Sequence, residues 1–436
     1  MTNADEKDGQ IAPGSPNGPN GPNGPNGPNG PNGPNGPNGD DARALHNIVV
    51  LTLAQSFNYA LAPLAVAIGG LTGSYLLGPD KTFATLPITC FVLGPLFGAL
   101  PAALLMRRIG RRGGFLIGSA LGFFGCLFAT IAILDGSFTG FCAALGMIGV
   151  SISFAQQYRF AAADFGSPGL RTRGLSWVMG GGLIAAVLGP QTAILLGDYF
   201  SPILFAGSYA GGMALSLIGF IVLLFLKPLP VSTGDTAKIE KPARPLGEIV
   251  RQPLFLTALA CAGTSYMSMT LVMTAAPIAM IFCGYSPEQS TTSIQFHVLA
   301  MFAPSFFTGS LIVRFGHAPV IATGLILFLV AAVIGASGID LSHFRLSLIA
   351  LGLAWNFGYI GGTSLVTKTY EPHERSKVQG LFDSLVFGST ALMSLLSGVL
   401  INAAGWQSVL AIVLPLISLG GLVLWQSRAR FRRLAI

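Results

Sequence analysis

The chain has 436 residues, of which 52% are hydrophobic and only 9% charged, and its mean hydropathy is +0.66. No soluble domain needs so much apolar sequence, whereas a bundle embedded in a bilayer does. In a soluble protein the net charge of +7 would point to nucleic acid; here it reads as the lysine and arginine excess of cytoplasmic loops, and no nucleic-acid partner is expected. The five cysteines, Cys90, Cys126, Cys142, Cys261 and Cys283, stand singly in or beside apolar runs. They read as small packing residues rather than as a metal site or a disulfide framework, and no cofactor is expected.

Residues 1–46 are polar, and from Pro16 to Gly39 they repeat Pro-Asn-Gly eight times. Asparagine and glycine favour turns, proline blocks helix and nothing apolar is available to bury, so this stretch predicts a disordered tail. The first apolar run starts near residue 47 and is too long for the apolar core of a signal peptide, so no cleavable signal is expected. Twelve apolar segments follow, each long enough to cross the hydrocarbon core: 47–72, 83–106, 113–134, 138–163, 174–197, 202–226, 254–282, 288–312, 319–338, 344–368, 380–403 and 406–427. Internal glycine and proline are tolerated in membrane helices where neighbours satisfy the backbone, and Pro63, Pro95, Pro190, Pro277, Pro304 and Pro415 are candidate kinks.

Charge orients these segments. The densest cluster, Arg107, Arg108, Arg111 and Arg112, lies between the second and third and cannot sit in hydrocarbon. If the N-terminus is inside, Lys81 and Arg345 fall outside and Arg159 within the fourth segment, while every other one of the 24 lysines and arginines is cytoplasmic. Both termini are therefore expected inside. A Pro-, Lys- and Thr-rich stretch, 227–253, divides the chain into a six-helix unit at 47–226 and another at 254–427, with a basic tail at 428–436.

The two units echo each other. Arg108-Ile109-Gly110-Arg111 follows the second segment, and Arg314-Phe315-Gly316-His317 follows the eighth. After the fourth come Asp164, Pro168, Arg171 and Arg173; after the tenth come Glu371, Pro372, Arg375 and Lys377. Two matched pairs at equivalent places predict a duplicated six-helix unit.

On these residues the sequence resembles the major facilitator superfamily, over essentially everything after residue 46. The family's loop between helices 2 and 3 usually reads Gly-x-Leu-x-Asp-Arg-x-Gly-Arg-Arg, matched here by Leu105, Arg108, Gly110, Arg111 and Arg112. Ala103 replaces the first glycine and Arg107 the aspartate, which in the family latches the outward-open state; Asp164 or Asp383 is the expected substitute. Ala185-x-x-x-Gly189-Pro190 resembles a signature of drug antiporters, with kinking or close helix packing as the plainer reading.

The resemblance implies an all-α membrane protein of two pseudo-symmetric six-helix bundles, with a substrate site near the bilayer midplane lined by helices 1, 4, 7 and 10. Polar and aromatic residues at that depth are the candidate substrate ligands: Gln55, Asn58 and Tyr59; Gln156, Gln157 and Arg159; Tyr266; and Trp355, Asn356 and Tyr359. Any one of these amides or tyrosines also suits interhelical hydrogen bonding. Arg159 is open to snorkelling, to pairing with Asp383, or to contact with an anionic or carbonyl-rich substrate. Arg107, Arg108, Gly110, Arg111, Asp164, Arg314 and Asp383 are candidates for gating, and His297, whose side chain titrates near neutral pH, for coupling.

No acidic residue lies near the centre of a segment, which disfavours a cationic substrate and favours a neutral or anionic one. Amides, tyrosines and a tryptophan suit a planar polar heteroaromatic, and the whole is similar to the riboflavin uptake carriers of this superfamily. The expectation is a monomeric, multi-pass carrier in a bacterial inner membrane, working by alternating access, with protons as the candidate coupling ion. Drug or metabolite efflux is the alternative. A membrane enzyme needs clustered carboxylates, histidines or metal ligands that the short external loops lack, and a sensor needs an output domain that the stretch after Trp425 is too short to supply.

Overall fold

A computed structural model describes residues 37–163, 167–227, 244–371 and 374–434, together with five residues in short turns between 20 and 26. Among the described residues every regular element is helical. In chain order they are α1 (Pro37–Asn58), α2 (Leu61–Leu76), α3 (Leu86–Leu134), α4 (Phe138–Ala155), α5 (Tyr158–Ala163), α6 (Pro168–Leu196), α7 (Ala206–Leu224) and α8 (Leu246–Val250). Then come α9 (Pro253–Phe282), α10 (Pro287–Phe302), α11 (Ser305–Phe315), α12 (His317–Ser337), α13 (Leu341–Trp355), a π-helical segment (Asn356–Ile360), α14 (Gly361–Val366) and α15 (Arg375–Leu434). Among the described residues nine stretches are long and apolar enough to cross a membrane, and α10 with α11, bent by 40°, makes a tenth.

Two elements are too long for one crossing. At 1.5 Å per residue the 49 residues of α3 would reach about 74 Å, against a hydrocarbon core of about 30 Å. Each is broken at a glycine with positive φ, Gly110 in α3 (φ 80°, ψ 160°) and Gly405 in α15 (φ 72°, ψ −174°). Gly316, between α11 and α12, has nearly the same backbone (φ 85°, ψ 169°) as Gly110. The sequence echo is thus a conformational one, because a side chain on either residue would be strained in that region. The expected loop after the second segment is this single-residue break.

Other helices break near mid-depth. Pro63 has no N–H to give the Tyr59 carbonyl, which instead accepts from Ala62 N–H at 3.0 Å, and α1 gives way to α2 there. Pro304 separates α10 from α11 in the same way. α4 ends at Ala155, Gln156 and Gln157 form a turn, and α5 starts at Tyr158. No proline accounts for that last break. The π-helical segment after Trp355 is a fourth irregularity of the kind that clusters at functional sites.

One expected boundary moves. Helix begins at Pro37, inside the last Pro-Asn-Gly repeat, rather than near residue 47. Proline is acceptable in a first turn, and the following residues are docked. Asp41 accepts from Ser167 N–H at 2.7 Å, His46 Nε2 donates to Phe225 O at 3.0 Å, and Asn47 accepts from Lys227 N–H at 3.0 Å. At this same basic end Arg112 donates to the last carbonyls of α7, at Leu224 O (2.7 Å), the favourable place for a cation. Arg244 closes a two-pronged ion pair on Glu374 (2.6 and 2.8 Å), holding the end of the 227–253 stretch against the turn after α14. That guanidinium, with Glu371 N–H, keeps the Glu374 carboxyl well below the usual carboxylate range.

The α1–α7 half meets the α9–α15 half along α2, α3 and α6 on one side and α9, α10 and α15 on the other. Their direct polar contacts lie towards the end opposite the arginines. Thr89 donates to Ser394 Oγ (3.2 Å), Asn402 to Lys81 O (2.9 Å) and Gln191 to Gln295 Oε1 (2.7 Å), while Gly398 packs on the Thr85 hydroxyl.

Candidate functional site

Between the halves lies a partly open cavity of about 100 Å³. Its two main walls are matching helical stripes: Tyr59, Ala62, Pro63 and Val66 from one half, Tyr266, Met269, Thr270 and Met273 from the other. Both follow the i, i+3, i+4, i+7 spacing of one helix face. Phe91, Val92 and Pro95 of α3 answer Val298, Met301 and Phe302 of α10, and Ile152, Gln156 and Phe387 complete the lining.

The wall is aromatic and mostly uncharged. Tyr266 stands edge-on to Tyr359 (4.9 Å), Trp355 (5.6 Å) and Phe387 (5.7 Å), and Trp355 stacks on Tyr359 with 22° between planes. Tyr59 meets Phe302 edge-on at 6.0 Å, so the aromatic surface crosses from one half to the other. Trp355 and Tyr359 therefore back Tyr266 rather than form the lining itself. The Trp355 indole N–H is buried without a partner.

Of the other expected ligands, Gln156 reaches the cavity and Gln157, its neighbour in the turn, is outside the lining. Asn58 points into its own half, donating to the Tyr158 hydroxyl (3.2 Å) and accepting from Ser119 (2.7 Å). Gln55 packs on α6 at Gly181. Asn356 is completely buried and fully engaged: its Nδ2 donates to Met301 O (2.6 Å) and Ser305 Oγ (2.7 Å), and its Oδ1 accepts from Thr308 (2.5 Å). It pins the α10–α11 break onto the π-helical segment.

The charged candidates divide similarly. Arg159 is half-buried with its guanidinium over the Phe160 ring at 4.8 Å, and its Nε has no partner. Asp383, exposed on α15, lies within electrostatic reach of Arg159, Tyr266 and Tyr359. Among the described residues the close ion pairs are Arg244–Glu374 and His343–Asp340, so Arg159 and Asp383 are not in contact. His297 is not on the cavity: it is fully buried and its Nδ1 donates to Leu348 O at 2.7 Å, tying α10 to α13. Arg107 and Arg108 are exposed beside the Gly110 break, Arg111 is half-buried beyond it, and Arg314 lies against the Phe315 ring at 5.2 Å. Asp164, the expected partner of Arg107, lies outside the described residues. No three His, Cys, Asp or Glu side chains gather among the described residues.

Sequence reasoning missed Met269, Met273, Met301 and Phe302, which line the cavity. The periodicity was available, since Met269 and Met273 fall on the Tyr266 face, but apolar residues on a membrane helix look alike whether they meet lipid or substrate. The antiporter-like Gly189-Pro190 has a local explanation. A Cβ on Gly189 would come within 2.3 Å of Ala60 O, so the glycine is where α6 packs against the first break.

The sequence model of the Major Facilitator Superfamily matches residues 47–304 and 258–434. The riboflavin transporter RfnT of Brucella anthropi is 43% identical over 380 residues, covering 87% of this chain and 95% of that protein. An uncharacterised MFS-type transporter of Bacillus subtilis, YddS, is 30% identical over 397 residues, covering 87% and 90%. In structure, the human organic anion transporter MFSD10 superposes with a TM-score of 0.60 at 16% identity, covering 87% of this chain and 99% of its own, a likeness of fold. A helical bundle divided around a central cavity, with these relatives along its length, makes this chain a multi-pass secondary transporter of the major facilitator superfamily.

Proposed function

We propose that the chain imports riboflavin across a bacterial cytoplasmic membrane. The observation that carries this is the 43% identity along 95% of the length of a riboflavin transporter, and the cavity suits the assignment chemically. Tyr59, Tyr266, Phe302 and Phe387 offer ring faces and edges to a tricyclic aromatic, Gln156 offers both a donor and an acceptor, and the lining carries no charge. In this reading α3 and α15 are each two crossings joined at Gly110 and Gly405, giving twelve spans in two six-helix bundles, with both termini cytoplasmic by the arginine distribution. The conformer then faces inward, latched at the outer end by Thr89–Ser394 and Gln191–Gln295.

The carrier works as a monomer by rocking its two halves. Asp383, within electrostatic reach of Arg159, replaces His297 as the group for proton coupling, and closing their gap is the inner gate. Efflux is the rival direction, and its motif, Gly189-Pro190, is already occupied by helix packing. Expression in a riboflavin auxotroph lacking its own carrier tests the reading: growth at micromolar riboflavin is expected. Absence of rescue by a protein that reaches the membrane rejects the substrate, and rescue unaffected by a protonophore rejects the coupling.

A further inference from the structure

Gln156 is the one carboxamide on the cavity wall among the described residues. The turn between α4 and α5 presents it there, and its side chain makes no hydrogen bond to any described residue. Asn58 is committed to Tyr158 and Ser119, Asn356 to Met301, Ser305 and Thr308, and Gln191 to Gln295, while Gln157 and Gln55, whose buried Oε1 has no partner, lie outside the lining. The lining it shares includes Tyr59, Ile152, Tyr266, Met269 and Phe302 and holds no other carboxamide or charged side chain, so a carboxamide that leaves water here needs its partners from the substrate.

A carboxamide has an N–H donor and a carbonyl acceptor side by side, and its complement is a ring edge carrying N–H next to C=O. The isoalloxazine ring of riboflavin ends in such an edge, an imide N3–H flanked by two carbonyls, and the other end of its ring system is a dimethylbenzene. We propose that Gln156 is the specificity-determining residue of this site and reads the imide edge. Its Nε2–H donates to a ring carbonyl and its Oε1 accepts from N3–H, while the apolar end of the ring lies on the aromatic surface formed by Tyr266 and Phe302. The assignment rests on the riboflavin reading above and adds to it an orientation, with the imide towards the α4 side and the dimethylbenzene towards α9 and α10. It also extends the substrate class to planar ring systems with a cis-imide or lactam edge.

The experiment is a two-by-two comparison by quenching of flavin fluorescence, with purified full-length protein, wild type and Gln156→Ala, against riboflavin and N3-methylriboflavin. Methylation removes the ring donor and adds bulk at that edge. A site built to hydrogen-bond a group rejects the analogue that lacks it, so the wild type should bind N3-methylriboflavin at least about thirtyfold more weakly. In Gln156→Ala riboflavin should weaken by about tenfold or more and the gap between the two ligands fall to within about threefold, because the residue that senses the methyl is gone. Gln156→Glu, nearly the same shape, keeps the acceptor and loses the donor; it should weaken riboflavin by about tenfold while retaining the N3-methyl penalty. An undiminished gap in Gln156→Ala, or wild-type riboflavin affinity in Gln156→Glu, overturns the assignment of Gln156 alone. A wild-type protein that does not bind riboflavin overturns the substrate reading with it.

Discussion

Asn356 shows how a residue of the expected type, at the expected depth, has a different task. Its carboxamide takes up the Met301 carbonyl left over where α10 stops, and it joins Ser305 and Thr308 on α11 to the π-helical segment. Replacing it with alanine leaves those groups in a dry interior, where each unsatisfied partner costs about 1–3 kcal/mol. Asn356→Ala is therefore expected to lower the unfolding midpoint of the detergent-solubilised protein by several degrees and to slow turnover. Ligand affinity in the fraction that remains folded should change by less than about threefold. A large loss of affinity with unchanged stability would return Asn356 to the binding wall. Helical spacing told which residues share a face: 55, 58 and 59, and again 355, 356 and 359. It did not tell whether that face met the cavity or a neighbour, and so Tyr59 and Gln156 line the cavity as expected while Asn58, Asn356 and His297 turn to neighbouring helices. Arg159 and Asp383 were legible as a pair of opposite charges because charge inside a membrane span has few other uses.

At the scale of elements, the glycines carry the punctuation. Gly110, Gly316 and Gly405 turn the chain without a loop because each adopts a positive φ. Around Gly110 there is open space for a Cβ, so Gly110→Ala costs the backbone strain alone, about 1–3 kcal/mol. Gly189→Ala, by contrast, drives a Cβ into the Ala60 carbonyl and pushes α6 off the α1–α2 break. Thermal unfolding of the two variants is expected to rank Gly189→Ala as the more damaging, and the reverse order would mean that the α6 packing is soft. The breaks at Gly110, Gly316 and Gly405 could be read from glycine among arginines or between apolar runs, and those at Pro63 and Pro304 from the missing N–H. The turn at Gln156 and the π-helical segment had no such marker, since both depend on neighbours that the local sequence does not name. The helical start at Pro37 was hidden for the same reason: Asp41, His46 and Asn47 are held by residues more than a hundred positions away.

At the scale of the whole molecule, two half-bundles share an aromatic cavity and are joined at one end by hydrogen bonds between them. Transport by rocking requires the touching end to part. A cysteine pair at Thr89 and Ser394, whose hydroxyls are 3.2 Å apart, should on oxidation arrest transport, and reduction should restore it. Unimpeded transport by the cross-linked protein would show that these helices do not separate. The central claim, that this cavity passes riboflavin, is met most directly by uptake of labelled riboflavin into proteoliposomes containing only the purified chain. Saturable uptake, competed by unlabelled riboflavin and lost in the oxidised Thr89→Cys/Ser394→Cys protein, is the expected result. Accumulation no greater than in protein-free vesicles, under conditions where the protein is folded and inserted, would contradict it.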